Sequence, residues 1–423
     1  MLRDTILTIN VVEPALVRAV RMHSKDLGYD LHGLALVDKS YASHVKRPKD
    51  KSGLFKEIVC DFDDPDELQR VLKPYMDRLL AVTCRYEEAI QSFRKVIPFL
   101  PYLHTPSPEA LLWSTEKPLM RDRLRNYDSK LVPRYQYLEE DDMPQLEKLV
   151  RDFKFPVIIK PSGLSKALLV SRCEDLETLR ERLAFAFRVI QDVYDRDRYQ
   201  GKPAVLVEEM MEGDMYSVDA YVLPDGRVFC LPPVKVVTAH SVGLPGFYGY
   251  ERRAPATLPP AELEAAYDTA TAAIRALNLS ATTTHIEMYR TEEGWKIIEI
   301  AARIGGHRDV LYREAYGIEH FYNDLLIRMG KEPSLPSEPI AEAAVLNLYA
   351  EREGTIKSIE GIDRARELPS VIHIVTHAGP GDRSLFSTNG GDRVVDAVLR
   401  NTDREQLEKD IRELRELIII EVA

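Results

Sequence analysis

Residues 285–306 alternate apolar and polar side chains on either side of Thr291-Glu292-Glu293-Gly294. This is the pattern of a β-hairpin, with a glycine late in the turn to supply positive φ. A three-residue loop centred on Glu293 sets Glu287 directly opposite Glu299, side chains on one face. In the same register Ile286 faces Ile300 and Met288 faces Ile298, an apolar face suited to a core. Like charges opposite one another across two strands repel, so the acid pair is a cost unless a cation lies between its members. Arg303 follows at the strand end on the carboxylate face, before Gly305 and Gly306. Two acids, an arginine and a flexible backbone are what a site needs to hold a divalent metal, a phosphoryl group and an acyl oxygen.

Composition narrows the class. The chain has 423 residues, enough for roughly two to four domains. Its 57 basic and 68 acidic residues leave a formal net charge of -11, which argues against nucleic acid as a partner, and no basic run interleaved with aromatics reverses this. Cys60, Cys84, Cys173 and Cys230 are scattered without a CxxC pair, as expected of reduced thiols in a cytoplasmic protein. No apolar run reaches the length of a membrane span.

Residues 1–115 read as a parallel α/β domain, with strand candidates at Ile6–Ile9, His32–Asp38, Glu57–Phe62 and Leu79–Thr83. The first lacks GxGxxG, so a dinucleotide fingerprint is absent. Proline-rich joints lie at Pro98–Pro108 and Pro333–Pro339. Between them, Glu116-Lys117-x-x-Met120-Arg121 opens a helical segment. Pro156-Val-Ile-Ile-Lys160-Pro161 ends a strand on a lysine, followed by a short loop containing Ser165. Val207-Glu208-Glu209-Met210-Met211-x-Gly213 precedes Asp214 and Met215. The long Gly-, Tyr- and Pro-rich stretch 240–260 leans functional.

These motifs, in this order across about 115–330, resemble the ATP-grasp superfamily and within it the carboxylate–amine ligases. The resemblance implies an α/β and α+β multidomain fold: an N-terminal parallel domain (1–115), two ATP-grasp subdomains (116–205 and 206–335) and a C-terminal α+β lid (336–423). It implies ATP and Mg²⁺ or Mn²⁺. Lys117, Lys160 and Ser165 would face the phosphates. Glu208, Glu209, Met210, Met211 and Asp214 would hold the adenosine, and Glu287 and Glu299 the metal. Arg303 with the Gly305-Gly306 backbone would stabilise the transferring group. Small-molecule carboxylate and amine substrates follow, with Tyr248, Tyr250, Arg252, Arg253, His285 and His307 as candidate contacts and Arg252-Arg253 as an anion clamp. Homo-oligomerisation stays open.

Three departures stand out. Ala301 occupies a position where the family often has a metal-binding asparagine, with His285 opposite it in the expected register. Met215 replaces a ribose-binding glutamate, leaving Asp214 as the neighbour. The loop after Lys160 carries one glycine, Gly163, unlike that of biotin-dependent carboxylases. Each residue alone also has an ordinary reading: Arg303 as the ion-pair partner of Glu299, His285 and His307 as structural, Arg252-Arg253 as solvated loop charge. An ATP-binding regulatory protein that lost turnover, and a phosphotransferase without ligation, are the alternative functions.

Overall fold

The computed structural model describes residues 2–43, 52–162, 169–197, 202–244, 247–336, 338–386 and 393–423. The first apolar runs form β1 Thr5–Ile9, β2 His32–Asp38, β3 Phe55–Cys60 and β4 Leu79–Thr83, a parallel sheet in the order β3-β2-β1-β4. Every residue of β1 is buried, as parallel strands covered on both faces require. The helix Pro14–Leu27 starts with proline in its first turn and ends at Gly28 with φ of 74°.

A buried carboxylate ties this sheet to the rest of the chain. Asp324, on the helix His320–Arg328, accepts from Thr83 Oγ1 at 2.6 Å and from Thr283 Oγ1 at 2.7 Å. Arg328 Nε donates to it at 2.9 Å. Burial alone would raise the Asp324 pKa, but Arg328 and the threonine hydroxyls outweigh it and hold it below the ordinary value.

The second sheet contains β5 Tyr135–Leu138, β6 Val157–Pro161, β7 Ser171–Cys173 and β8 Val205–Glu209, antiparallel in the order β5-β8-β6-β7. Its own core, including Val157, Ile159, Val205 and Val207, packs against Leu179, Leu183 and Ile190 of the helix Leu176–Asp197. β8 therefore pairs within the first subdomain, although a boundary at 205/206 assigned most of it to the second. Its hydrogen bonds to both β5 and β6 fix that placement.

The third sheet is the largest. β9 Asp214–Val222, β10 Val228–Cys230, β11 Val234–Thr238, β12 Gly249–Ala254, β13 Thr282–Thr291 and β14 Gly294–Ala301 are followed by β15 Glu342–Leu348, β16 Gly354–Glu360, β17 Val371–Thr376, β18 Arg383–Ser384, β19 Val395–Asn401 and β20 Ile419–Val422. Its order is β14-β13-β9-β11-β12-β15-β19-β17, with β10 beside β9, while β16, β18 and β20 form a small separate sheet. Hydrogen bonding between β12 and β15 carries the large sheet unbroken across the 335/336 boundary. One face packs on the alanines Ala266, Ala270 and Ala273 of the helix Pro260–Ala276, whose small side chains permit close approach. Helices Arg308–Tyr316 and His320–Arg328 cover the other face. No described helix is long and apolar enough to cross a membrane.

The hairpin reaches the expected acid pairing by a different route. Thr291 pairs with Gly294, so the turn is two residues, not three, and Met288 faces Ile297, not Ile298. A bulge between Glu287 and Met288 then absorbs Ile298 and restores Glu287 opposite Glu299 and His285 opposite Ala301. The shorter turn and the bulge cancel, because each shifts the register by one residue in opposite senses.

Asp324→Ala leaves the buried Arg328 without its carboxylate and is expected to cost about 3–5 kcal/mol of stability in denaturant unfolding. The double variant Asp324→Leu/Arg328→Met, which removes both charges, should cost less.

Candidate active site

Lys117 opens the helix Lys117–Tyr127, and Arg121 follows one turn later on the same side. Arg121 is 2% exposed and Glu208 0%. Glu208 accepts from Arg121 Nε on one oxygen and from Lys160 Nζ at 2.6 Å on the other. Burial would raise the Glu208 pKa, yet Arg121 and Lys160 overcome it and hold the carboxyl at about 2. Two cations around one anion leave net positive charge where phosphate oxygens are expected. Arg121 Nη2 also donates to the carbonyl of the bulged Ile298 at 2.8 Å, joining this cluster to the acid-bearing hairpin.

The hinge residues next to it are largely engaged. Glu208 was expected at the adenine edge, and its carboxylate instead lies between Arg121 and Lys160. Glu209 accepts from the Lys154 N–H at 2.9 Å, and the Met210 N–H donates to the Pro156 carbonyl at 3.1 Å. Met211 is half-buried. Asp214 pairs with Arg290 at 3.2 Å and Lys235 at 3.3 Å. Ser165 lies outside the described residues.

Behind Glu287 stands a buried network. Glu287 lies 3.4 Å from His285 Nε2, and His285 Nδ1 is 2.6 Å from Asp219. Asp219, on β9, also meets His320 Nε2 at 3.1 Å and accepts the Gly305 N–H at 3.2 Å. Arg308 donates to Ser217 Oγ at 2.7 and 3.0 Å and stands 3.9 Å from Asp219. Asp219 is fully buried, and His285 and His320 overcome that burial to hold its pKa far below the ordinary value. Burial acts to lower the His285 pKa, but Asp219 raises it on balance. Glu287 is held at about 2, the cost of burial being outweighed by His285 and Arg308.

Magnesium prefers oxygen ligands and commonly keeps phosphate and water in its shell, bound by one or two carboxylates. Glu287 and Glu299, opposed on one face with Glu287 ionised, fit that requirement. Among the described residues no group of three or more His, Cys, Asp or Glu side chains forms a metal cage.

Arg303 is half-buried and its Nε donates to Glu87 at 2.7 Å, bringing in a residue of the N-terminal domain. Arg85, two residues before Glu87, donates to the carbonyls of Ile304 at 2.6 Å and Gly305 at 3.3 Å. Burial raises the Glu87 pKa, Arg303 opposes this, and nearby Glu299 adds to it. A Cβ on Gly305 would lie 2.4 Å from His285 Nδ1, whereas one on Gly306 would meet nothing within 4 Å.

The candidate substrate residues divide between faces. Arg252 and Arg253 are neighbours on β12 and point to opposite sides, so they do not form one clamp. Arg253 pairs with Glu251 and with Glu408 of the helix Arg404–Leu417. Tyr250 falls at the bulge in the β11–β12 pairing and lies under Arg415, with 4.8 Å from the guanidinium to the ring. Arg252 instead faces Asn347, whose amide reaches His307 Nε2 at 3.3 Å and also Asp396. Burial first, then Arg252, pushes the His307 pKa down to about 3, so this imidazole is neutral at pH 7. Tyr248 lies against Tyr349, with ring centroids 3.9 Å apart and the ring planes tilted by 33°.

Asp219, Arg308, Glu87, Arg85, Asn347 and Asp396 escaped the sequence reading. Only Asp219 carried a signal: it is an acid within the otherwise apolar run Val218–Val222, an arrangement that burial makes expensive without partners.

Comparison with known proteins adds the following. The ATP-grasp domain matches residues 153–309, and the L-amino acid ligase C-terminal domain 2 matches residues 347–423. An uncharacterised protein of Sinorhizobium fredii is 25% identical over 293 residues, covering 68% of this chain, and the chain spans 57% of that relative's length. Among solved structures, the L-amino acid ligase of Bacillus licheniformis superposes with a TM-score of 0.78 at 19% identity, covering 100% of this chain and 99% of the other. N5-carboxyaminoimidazole ribonucleotide synthetase of Thermotoga maritima gives 0.68 at 19% identity, with 99% and 100% covered. At these identities the likeness is one of fold.

Gly305→Ala should displace His285, lower the melting temperature and weaken Mn²⁺ binding measured by electron paramagnetic resonance, while Gly306→Ala stays close to the parent in both. Glu208 has a depressed pKa, so its stabilisation is complete above the ordinary carboxylate value and is lost as pH falls through about 2. In Arg121→Gln the carboxyl loses its main compensating charge, and acid unfolding followed by circular dichroism should begin at higher pH than in the parent.

Proposed function

The chain belongs to the ATP-grasp superfamily, and we propose that it is an ATP-dependent carboxylate–amine ligase that forms an amide or peptide-like bond through an acyl phosphate. The observation that carries this reading is the junction of two charge clusters. The Glu287–Glu299 pair is joined to the Lys160–Glu208–Arg121 cluster through the Arg121 bond to the Ile298 carbonyl. Phosphoryl transfer is mostly positioning and charge stabilisation, and this junction supplies both anchors and cations for a nucleotide's phosphates.

In the proposed reaction a substrate carboxylate oxygen attacks the γ-phosphorus of ATP. The bond to the bridging oxygen breaks, giving an acyl phosphate and ADP. An amine nitrogen then attacks the acyl carbon, loses a proton, and phosphate leaves with the electrons of the C–O bond. Lys117 and Lys160 hold phosphate oxygens, Lys160 exchanging its Glu208 contact for the nucleotide while the buried Arg121 keeps Glu208 paired. Glu287 and Glu299 would hold Mg²⁺, which would supply charge neutralisation at the phosphates. Arg303, held by Glu87, and the exposed Gly306 backbone stand at the end of the acid-bearing strand, suited to the developing oxyanion. The Gly305 N–H is already given to Asp219 and has no part in that role.

Incubation with MgATP, pooled small carboxylic acids and hydroxylamine should yield ADP and an acyl hydroxamate. Glu299→Ala is expected to reduce hydroxamate formation at least about 100-fold, the order that loss of one oriented electrostatic contact costs. AMP and pyrophosphate as products would overturn the acyl-phosphate mechanism. Tight ATP binding without turnover on any acid would turn the reading to a regulatory nucleotide-binding protein.

A further inference from the structure

The amide-forming half of the proposed reaction releases a proton. Once the amine's lone pair has joined the acyl carbon, its nitrogen carries one hydrogen too many, and a base within hydrogen-bond reach speeds the loss of that hydrogen. Most bases around the site are committed. Glu287 and Glu299 form the acid pair, and Glu87 accepts from Arg303. His285 lies between Asp219 and Glu287, and His320 between Asp219 and the Tyr221 hydroxyl. His377 is held by Asp396 at 2.8 Å. His307 is placed differently.

His307 directly follows Gly306 and opens the helix Arg308–Tyr316, with φ of 60° and 22% of its side chain exposed. Its neighbours fix its tautomer. Arginine only donates, so Asn347 turns Oδ1 to Arg252 and Nδ2 the other way. The two hydrogens of Nδ2 meet Asp396 and, at 3.3 Å, His307 Nε2. Nε2 is therefore the lone-pair nitrogen, with the ring proton on Nδ1. The same Nε2 stands 3.7 Å from Asp396 Oδ2. A lone pair and a carboxylate facing one another repel, and attract through a charge-assisted hydrogen bond once a proton comes between them. The 3.3 Å contact with a neutral amide is long and readily given up for an amine N–H. Arg252, Arg393 and Arg308 also act on the ring against Asp396, and with burial they keep it neutral. The negative charges of an acyl phosphate offset those arginines and raise the basicity of Nε2.

We infer that His307, through Nε2, is the general base of amide formation, with Asp396 as the carboxylate that steadies the imidazolium. The inference rests on the ligase reading above. The amine lone pair forms the N–C bond while the carbonyl π electrons move to oxygen. Their return expels phosphate with the electrons of the C–O bond. Nε2 takes the N–H proton as the tetrahedral species collapses and passes it to the departing phosphate, leaving the imidazole neutral again. Gly306, one peptide bond away, puts the base next to the proposed oxyanion donor. β15 and β19 carry Asn347 and Asp396, so the C-terminal strands hold the base in place.

His307→Asn suits the test, because asparagine tolerates positive φ and carries no titrating nitrogen. Full-length parent and variant receive MgATP, a donor acid found by hydroxamate trapping, and either hydroxylamine or a pool of amino acids and simple amines, ammonia included. Hydroxylamine is far less basic than an alkyl amine, so its nitrogen gives up a proton to water without help. His307→Asn should lower kcat for amide formation at least about 100-fold while hydroxamate formation stays within about threefold of the parent. Asp396→Asn should show the same split to a smaller degree. Equal loss of both products in a His307→Asn protein that circular dichroism shows to be folded makes the residue structural and overturns the inference. Unchanged amide formation overturns it and leaves the ligase reading standing. Hydroxamate without amide from any amine in the parent overturns it too, and reduces the ligase reading to carboxylate activation. Absence of hydroxamate from every acid in the parent removes the ligase reading and this inference together.

Discussion

One fully buried carboxylate, Asp219, organises the face on which the candidate site stands. An anion in the interior survives only when surrounding groups replace the water it has lost. Asp219 receives that replacement from His285, His320, the Gly305 N–H and, at longer range, Arg308. These partners come from β13, the helix His320–Arg328, the loop after β14 and the helix Arg308–Tyr316. Satisfying one charge therefore fixes four pieces of chain relative to β9. The orientation of His285 beside Glu287, and the path of the Gly305-Gly306 loop, both follow from it.

Around that anchor the charges are contributed by every part of the chain. Lys160 and Glu208 come from the second sheet, Arg121 from the helix that precedes it, and Glu287 and Glu299 from the large sheet. The N-terminal domain sends Arg85 and Glu87 to the loop that carries Arg303. The C-terminal strands send Asn347 and Asp396 to Arg252 and His307. Because β15 pairs directly with β12, those last residues are fixed by sheet hydrogen bonds. The C-terminal region is thus built into the sheet that bears the acid pair.

Much of this was legible in the residues. Strand and helix positions in the N-terminal domain followed from alternating apolar runs and proline or glycine punctuation, because local propensity and burial agree there. The acid pair was legible because a strand's side chains alternate with period two, and both arms of the hairpin keep that pattern. Its derivation still assumed a three-residue turn where the structure has two residues and a bulge. The bulge leaves a signal only in three dimensions: the Ile298 carbonyl finds Arg121, 177 residues away in sequence. The adjacent arginines at 252 and 253 looked like one clamp in the sequence, and the strand geometry separates them to opposite faces.

The sequence by itself determined the element types, the order of the phosphate- and metal-type motifs, and the facing of Glu287 and Glu299, since each depends on residues close together in the chain. Only the tertiary structure decided which charge answers which: Glu208 to Arg121 and Lys160, Arg303 to Glu87, Asp219 to His285 and His320, and Arg252 to the oxygens of Gly249 and Asn347. Ion pairing acts over a few ångströms regardless of separation along the chain. It is therefore set by how sheets and helices pack, which no local pattern records.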